Sequence, residues 1–225
     1  MTKKKKEDLI KNNNMKKVQN IYDNKDFFDA YKEMRDTKIN ANELIEMPTI
    51  KEMLPDLKDT TILDLGCGTG FMLNEIKKIY KLKNKNLDLY GLDISEEMIK
   101  IANENLNGKA NLKVGDSEYI PWKDNTFDLV VCNASFHHFS NPEKTLFEIK
   151  RVLNSNGILI LGDPTAPIIL RDIFNLFIKY SDSGDYRIYN QKEIEELFKL
   201  TGFIPKNFKL LKRNKFFING EVSKD

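Results

Sequence analysis

The chain has 225 residues, enough for one α/β domain with a substantial core and too few for two full domains with linkers. Its 36 Lys and Arg residues against 34 Asp and Glu residues give a net charge of +2, which argues neither for a nucleic-acid binder nor for a protein with an acidic surface. Two cysteines cannot form a disulfide framework, and no apolar run has the roughly 18 residues that a membrane span needs. We therefore expect a cytoplasmic protein without a membrane segment, and both a monomer and a homodimer remain open.

The N-terminal region is predicted to contain a tail and then a helix. Residues 1–20 are polar and rich in lysine and asparagine, which is typical of a disordered basic tail. Residues 26–35 (DFFDAYKEMR) predict an amphipathic helix whose apolar positions are Phe27, Phe28, Tyr31 and Met34. Tyr31 and Arg35 lie four positions apart, so their side chains point into the same space.

Residues 43–57 (ELIEMPTIKEMLPDL) predict a second helical stretch, interrupted by Pro48 and ended by Pro55. Because this stretch precedes the first predicted strand, we expect residues 21–57 to form a helical cap over the ligand cleft. The rest of the chain is predicted to form a single domain with that cap, over residues 21–225.

Residues 62–70 (ILDLGCGTG) join a short apolar strand to a glycine loop and then to a helix. The strand is too apolar for a surface position and is predicted to lie in the middle of a sheet. Gly66, Gly68 and Gly70 allow the backbone to turn sharply and to approach a ligand. Asp64 interrupts the apolar run, and we expect its carboxylate to orient loop amides or to lie close to a bound cation.

The spacing of the glycines separates two classes of ligand. A dinucleotide fingerprint, G-x-G-x-x-G, would need a glycine where this chain has Phe71, and a bulky side chain there would obstruct a pyrophosphate. The stretch from Asp64 to Gly70 instead resembles motif I, E/D-x-G-x-G-x-G, of the class I S-adenosylmethionine (SAM)-dependent methyltransferases, of the small-molecule type with methyltransferase domain 11/25. A tight strand-to-helix turn without a ligand is the alternative.

Residues 87–95 (LDLYGLDIS) predict the second strand, which ends in Asp93. An acidic residue at this point, about twenty residues beyond the glycine loop, is where such folds hydrogen-bond the hydroxyls of a ribose. A carboxylate can accept both O–H groups at once. The alternative role for Asp93 is to cap the helix over 96–106, for which Ser95 is an equally good candidate.

Residues 111–115 predict a third short strand, and Asp116 and Ser117 follow it. In the methyltransferases that this region resembles, G-D-x-x-x-x-P places the aspartate at the exocyclic amine of adenine. Gly115, Asp116 and Pro121 match that pattern. A carboxylate is a suitable acceptor for the N–H donor of the base.

Small bacterial methyltransferases have a similar Y-x-x-L/M-R helix packed over the cofactor site. This resemblance implies that Arg35 pairs with the SAM carboxylate, since its planar fork matches a carboxylate; a surface ion pair is the alternative. Together these inferences predict the following cofactor contacts: Tyr31, Arg35, Asp64, Gly66, Cys67, Gly68, Gly70, Asp93, Ile94, Met98, Asp116, Ser117 and Asn133.

Residues 127–132 predict a fourth strand that is apolar on both faces and therefore central, and residues 133–139 (NASFHHF) follow at its carboxyl end. His137 and His138 are the only histidines in the chain. We predict no metal site, because adjacent side chains on a regular element diverge and no third ligand stands nearby in sequence. The two histidines are the candidate catalytic residues, as a general base for the acceptor; packing at the cleft floor is the alternative.

The remaining sequence predicts alternating helices and strands. Residues 164–190 form an insertion after the fifth strand, with an amphipathic helix that we expect to be a lid over the acceptor; packing against the N-terminal helices or a second subunit is the alternative. Helices are predicted over 71–80, 142–153 and 191–200, and strands over 157–162, 203–211 and 215–219.

The predicted fold is an α/β, Rossmann-like sheet of seven mostly parallel strands with helices on both faces and an N-terminal helical cap; the family resemblance implies that the last strand is antiparallel. The predicted function is in-line methyl transfer from SAM to an O, N or C nucleophile of a small molecule, leaving S-adenosylhomocysteine. No nucleic-acid or membrane partner is expected. A non-catalytic SAM-binding protein and a nucleotide-cofactor oxidoreductase are the alternatives.

Overall fold

The computed structural model of the chain describes residues 46–56, 59–82, 86–178, 184–211 and 215–223. The predicted tail over 1–20 and the predicted helix over 26–35, with Tyr31 and Arg35, lie outside the described residues. Of the predicted cap over 21–57, only the last part is described. Among the described residues, none of the helices combines the length and the apolar character that a membrane-spanning helix requires.

The described chain is built around one sheet of seven strands in the order β3-β2-β1-β4-β5-β7-β6. Strands β1 to β5 pair in parallel, and β7 runs antiparallel to both β5 and β6. The strands are β1 (Thr60–Leu65), β2 (Leu87–Asp93), β3 (Asn111–Val114), β4 (Phe127–Asn133), β5 (Leu153–Pro164), β6 (Phe203–Leu211) and β7 (Lys215–Val222). The predicted fold class is confirmed, including the antiparallel last strand.

Six helices are described, and three of them begin at a side chain that caps the first turn. Ser95, Asn141 and Asn190 each accept a hydrogen bond from a backbone N–H of the helix that follows. The helices are α1 (Met47–Met53), α2 (Phe71–Leu82), α3 (Glu96–Asn105), α4 (Pro142–Val152), α5 (Ile168–Phe177) and α6 (Gln191–Leu200), and a 3₁₀ turn covers Phe136–His138.

The core lies on both faces of the sheet because the central strands are apolar on both sides. In β4, Val130 and Cys132 belong to one apolar cluster, whereas Leu129 and Val131 belong to the other. The first cluster includes side chains of α4 and α6, and the second includes side chains of α1 and α2. The predicted central position of β4 is therefore confirmed.

Some element boundaries differ from the predictions. Pro48 lies in the first turn of α1, where a proline lacks only an N–H that would have no partner. The part of the predicted stretch before Glu46 lies outside the described residues. Strand β5 begins at Leu153, directly after α4, and not at the predicted Gly157. Leu153 pairs with Phe127, and an irregularity in the register separates this pair from the rest of the ladder.

Candidate active site

A pocket opens at the carboxyl ends of β1, β2 and β4, where the strand order changes direction between β1 and β4. This is the position at which open α/β sheets bind ligands. Eleven residues predicted to bind the cofactor or to act in catalysis line the pocket: Asp64, Gly66, Cys67, Gly68, Asp93, Ile94, Met98, Asp116, Ser117, Asn133 and His138. The structure therefore brings together side chains from five separate parts of the sequence.

The glycine loop is held by the second strand. The N–H groups of Gly66 and Cys67 both donate to the Leu92 carbonyl, at 2.8 and 3.1 Å. Gly66 has φ +74°, and a Cβ added there would lie 2.3 Å from the Ser135 hydroxyl oxygen. Gly68 has φ +49°, but a Cβ there would meet no atom within 4 Å. Only glycine fits at Gly66 for steric reasons, whereas Gly68 keeps open space in the pocket.

Asp93 connects the loop to the helix that follows β2. Its Oδ2 accepts the Gly68 N–H at 2.8 Å, and its Oδ1 accepts the Ser95 N–H at 3.0 Å. The capping role proposed for Ser95 is also present, since its hydroxyl accepts the Met98 N–H at 3.2 Å. A carboxylate oxygen can accept two hydrogen bonds, so these contacts fix Asp93 without using all of its acceptor capacity.

Asp64 is a buried carboxyl group with an incomplete set of partners. It is 2% exposed, and its Oδ2 has no hydrogen-bond partner among the described residues. Burial, followed by repulsion from Asp93, raises the pKa of Asp64 to about 8. A positively charged group in the pocket would lower that pKa, because it favours the ionised carboxylate. Burial also raises the pKa of the Cys67 thiol, which therefore stays protonated and unreactive.

Asp116 and Ser117 line the pocket on the side of β3. The Asp116 carboxylate accepts the Glu118 N–H at 2.9 Å, which places it at the start of a turn. The Ser117 hydroxyl lies 3.2 Å from the hydroxyl of Thr145, on α4. A Cβ on Gly115 would lie 2.9 Å from a Leu92 methyl carbon, so the preceding glycine permits close packing of this wall on β2.

The two histidines lie close together on the 3₁₀ turn, with ring centroids 3.9 Å apart. Nδ1 of His137 is 2.8 Å from Oδ1 of Asp163, a buried residue of β5. Nδ1 of His138 is 3.0 Å from the Gly184 carbonyl oxygen and 3.2 Å from Oδ1 of Asp185. Asp185 also lies 3.3 Å from Nε2 of His137. His138 lines the pocket, whereas His137 is not among its lining residues.

The expected divergence of the two histidine side chains is wrong, and a possible third ligand comes from far away in the sequence. The adjacent rings converge because a 3₁₀ turn carries them, and Asp185 supplies a third group from a distant part of the chain. His137, His138 and Asp185 could each offer one ligand atom, and these atoms lie within 4.8 Å of one another. The contacts of the three residues with Asp163 and Gly184 also form a hydrogen-bonded cluster without an ion. That the site holds no metal stays a prediction.

The environments of the two rings move their pKa values in opposite directions. Burial lowers the pKa of His137, but the charge and hydrogen bond of Asp163, with the charge of Asp185, outweigh it and raise the pKa above 6.5. Burial and then the neighbouring charge of His137 lower the pKa of His138 below 6.5. His138 is therefore the member of the pair that loses its proton first as the pH rises, and it is mostly neutral at pH 7.

Asn133 ends β4 at the rim of the pocket and is held by a residue that the sequence did not suggest. Its amide nitrogen donates to Oε2 of Glu46 at 2.7 Å. Glu46 is 1% exposed, and its other carboxylate oxygen pairs with Lys215, at the start of β7. No local pattern marks Glu46, because its partners are 87 and 169 positions away.

Some lining residues were not predicted, and two of the predicted residues that the structure describes, Gly70 and His137, are not among the residues that line the pocket. Ser135 donates to the Gly66 carbonyl at 3.2 Å, and Ala134 has φ +54°, which is rare for a residue other than glycine. Neither feature has a sequence signal. Gly70 does not line the pocket; a Cβ there would lie 3.0 Å from Leu106, so this glycine allows close packing beneath α3. Its assignment to the cofactor stays a prediction.

Comparisons with known proteins agree with this arrangement. A family model described as a methyltransferase domain matches residues 56–202. Over 149 residues the chain is 34% identical to an uncharacterized protein of Haemophilus influenzae, covering 63% of this chain and 57% of that protein. It is 30% identical over 172 residues to the ubiquinone/menaquinone biosynthesis C-methyltransferase UbiE of Wigglesworthia glossinidia brevipalpis, covering 70% and 67%.

Solved structures share the fold. The chain superposes on a SAM-dependent methyltransferase from Thermotoga maritima with a TM-score of 0.71 and 22% sequence identity. The superposition covers 91% of this chain and 99% of that one. At this level of identity the agreement concerns the fold alone.

Proposed function

The chain belongs to the methyltransferase-domain family and is a class I SAM-dependent methyltransferase, and on this premise we propose that it methylates a small molecule whose nucleophilic atom loses a proton to His138. One observation carries the proposal. His138 is a neutral histidine that lines the same pocket as the glycine loop and the carboxylates. The class of the acceptor and the roles of the site residues are both proposed.

The pocket suits a cationic nucleoside. Asp64 has an unpartnered buried oxygen and a raised pKa, so a positive charge beside it would be stabilising. Asp93 is held by two backbone N–H groups in the place where a ribose is bound in such folds. When bound, SAM supplies an electrophilic methyl group on a sulfonium. The proposed contacts are the residues that line the pocket at the carboxyl ends of β1, β2 and β3, with Asp116 toward the base.

The hydrogen bonds of the histidine pair define the proton-accepting atom. Because Nδ1 of His138 lies 3.0 Å from the Gly184 carbonyl oxygen, that nitrogen carries the proton in the neutral ring. Nε2 is then the nitrogen that can take a proton from the acceptor. Asp163 holds His137 in position by their 2.8 Å contact, and the ring of His137 lies against that of His138 at an interplanar angle of 41°. His137 and Asp163 are therefore positioning residues, and His138 is the proposed base.

Charge and polarity in the pocket limit the acceptor. Among the described residues that line the pocket there is no lysine or arginine, whereas three aspartates are present. A polyanion such as RNA or DNA would be repelled. Phe71, Met72 and Phe139 give the pocket apolar walls as well. An uncharged, partly apolar acceptor with an acidic O–H, N–H or C–H group fits this lining, and the C-methyltransferase name of the Wigglesworthia relative is in line with it.

Mutation of His138 tests the proposal. A panel of phenols, quinols, β-dicarbonyls and amines is first screened for formation of S-adenosylhomocysteine. With an active acceptor, His138→Asn keeps a donor for the Gly184 carbonyl but removes the base, so kcat should fall about 10²- to 10⁴-fold while the Kd for SAM is unchanged. The wild-type rate should fall as the pH drops, with a midpoint below 6.5.

Two results would count against the proposed base. One is a variant with wild-type kcat, and the other is a parallel loss of SAM affinity, which would place His138 in cofactor binding. Turnover with none of the acceptors, despite tight SAM binding, would favour the non-catalytic alternative.

A further inference from the structure

Helix α5 exposes its apolar side chains, whereas an ordinary surface helix buries them. Most of its apolar side chains face outward, and each of the following is more than half exposed: Ile168, Ile169, Leu170, Ile173, Phe174, Leu176 and Phe177. An apolar patch of this size, contiguous along one helix, marks an interaction surface more often than a free one. We call these seven residues the α5 face.

The inward side of α5 is polar. Arg171 is its buried residue, at 6% exposed, and its Nη1 has no hydrogen-bond partner among the described residues. Asn175 makes a pair of hydrogen bonds with the backbone of Ile188, each 2.9 Å long. The helix is thus attached to the domain by polar groups, and its apolar side chains are available for another partner.

We propose that residues 26–35 of the same chain pack on the α5 face. This segment has a complementary pattern, because Phe27, Phe28, Tyr31 and Met34 recur at helical spacing. Both segments have ten residues, and a helix of that length is about 15 Å long. The two could therefore cover one another along their whole length.

Glu46, the first described residue, is connected through its contacts to the start of α5. Glu46 is buried against Lys215, and Lys215 pairs across the sheet with Pro164, the last residue of β5. Helix α5 begins four positions later, at Ile168. The link from Arg35 to Glu46 reaches about 40 Å at most when it is extended, which is well beyond the length of α5. The chain can therefore fold back onto this surface without strain.

Two other occupants fit less well. Helices that lie on membranes are rich in lysine and arginine on their polar face, but α5 has a single arginine, which is buried, and an exposed aspartate, Asp172. A second copy would need an interface of roughly 1,200 Å² or more in total, and one ten-residue helix from each copy supplies only part of that.

The docking does not depend on the identity of the acceptor, so its test uses no enzyme activity. Cysteine cross-linking in the full chain is suitable because Cys67 and Cys132 are buried, which raises the pKa of both thiols and suppresses their reaction. The test variant combines Phe27→Cys with Phe174→Cys. The control combines Asp29→Cys with Phe174→Cys, since position 29 lies on the opposite side of the predicted helix. A short bismaleimide is added at micromolar protein concentration.

We expect an intramolecular cross-link in the test variant, at least five times as abundant as in the control. A cross-linked dimer would overturn the proposal in favour of a second copy. Equal cross-linking in both variants, or none in either, would overturn it as well.

A second measurement leaves residues 26–35 intact. The thiol of the single variant Phe174→Cys should react with iodoacetamide at least tenfold more slowly than that of Leu200→Cys, on α6. Phe174 and Leu200 are 55% and 62% exposed, so equal rates would show that nothing covers the α5 face.

Discussion

The two sides of the pocket are built in different ways. On the side that we assign to the cofactor, the carboxyl ends of β1, β2 and β3 supply backbone N–H groups and aspartates, and the Gly68–Asp93 contact is typical. On the side that we assign to the acceptor, side chains hold one another, as in the His137–Asp163 contact. The first side is rigid because the main chain defines it. The second side depends on individual side chains, which can differ between relatives without a change of fold.

The largest effect is expected at Gly66, on the cofactor side. In Gly66→Ala the residue would keep φ +74°, which costs about 1–2 kcal/mol, and its Cβ would lie 2.3 Å from the Ser135 hydroxyl oxygen. Overpacking adds about 1–3 kcal/mol, so thermal or chemical denaturation should show a loss of about 2–5 kcal/mol in the free energy of unfolding.

Gly68→Ala is the matched control for this effect. Its Cβ meets no atom within 4 Å, so only the backbone cost of about 1–2 kcal/mol is expected in the free energy of unfolding. The added methyl group stands in the pocket, however, and SAM affinity by calorimetry should fall about 10- to 100-fold. Equal stability of the two variants would contradict the view that the main chain of this side is sterically fixed.

An intermediate effect is expected at Asp163, on the acceptor side. Asp163→Asn removes the charge that raises the pKa of His137, so that pKa should fall and the charge of His137 should lower the pKa of His138 less. Because the chain has 2 histidines, proton NMR can follow both rings. We expect one titration above pH 6.5 and one below it in the wild type, and a narrower gap in the variant.

The kinetic constants of Asp163→Asn should distinguish the acceptor side of the pocket from the cofactor side. With an active acceptor, kcat of Asp163→Asn should fall about 10- to 100-fold, less than for loss of His138 itself, and the Kd for SAM should not change. An unchanged gap between the two histidine titrations would remove the positioning role of Asp163. The ion pair also contributes stability below pH 6.5, which is lost as the pH rises through the raised pKa of His137.

Because main-chain groups form the cofactor side and side-chain pairs form the acceptor side, the sequence predicts the first side better than the second. The strand–loop–helix pattern at Gly66 and the acidic residue at the end of β2 are local signals, so the sequence could place both at the predicted cofactor site. Asp116 was added by the resemblance to methyltransferase motifs. Asp163 lies 26 positions from His137, and Glu46 lies 87 positions from Asn133. Such pairs depend on which strands become neighbours, and no spacing rule connects them in a single sequence.

The expectation that the side chains of His137 and His138 diverge was wrong because of the local backbone geometry. Divergence of adjacent side chains holds for regular helices and strands, but the turn at Phe136–His138 is neither. Only the fold shows that Asp163 of β5 contacts His137 and that Asp185, after α5, contacts both rings.

The smallest effect is expected from the protonation of Asp64, on the cofactor side. Its pKa of about 8 means that the carboxyl group is mostly protonated at pH 6, whereas a cationic ligand favours the carboxylate. SAM binding must therefore release a proton, and affinity should rise by up to about tenfold per pH unit between pH 6 and 7.5. Calorimetry in buffers with different ionisation enthalpies measures both the affinity for SAM and the number of protons released on binding. Above pH 7.5 the amino group of the ligand itself begins to titrate, so that range is excluded.

Asp64→Asn has nearly the same shape and no titrating group, so its affinity for SAM should be lower at pH 7.5 and nearly independent of pH. The ligand-free wild type should also lose stability as the pH rises from about 4 to 8, because the folded chain then holds a proton that the unfolded chain has released. If the wild type and Asp64→Asn share one pH dependence of affinity, Asp64 does not face the positive charge of the cofactor. The backbone contacts of the glycine loop would then define the cofactor side without help from this buried charge.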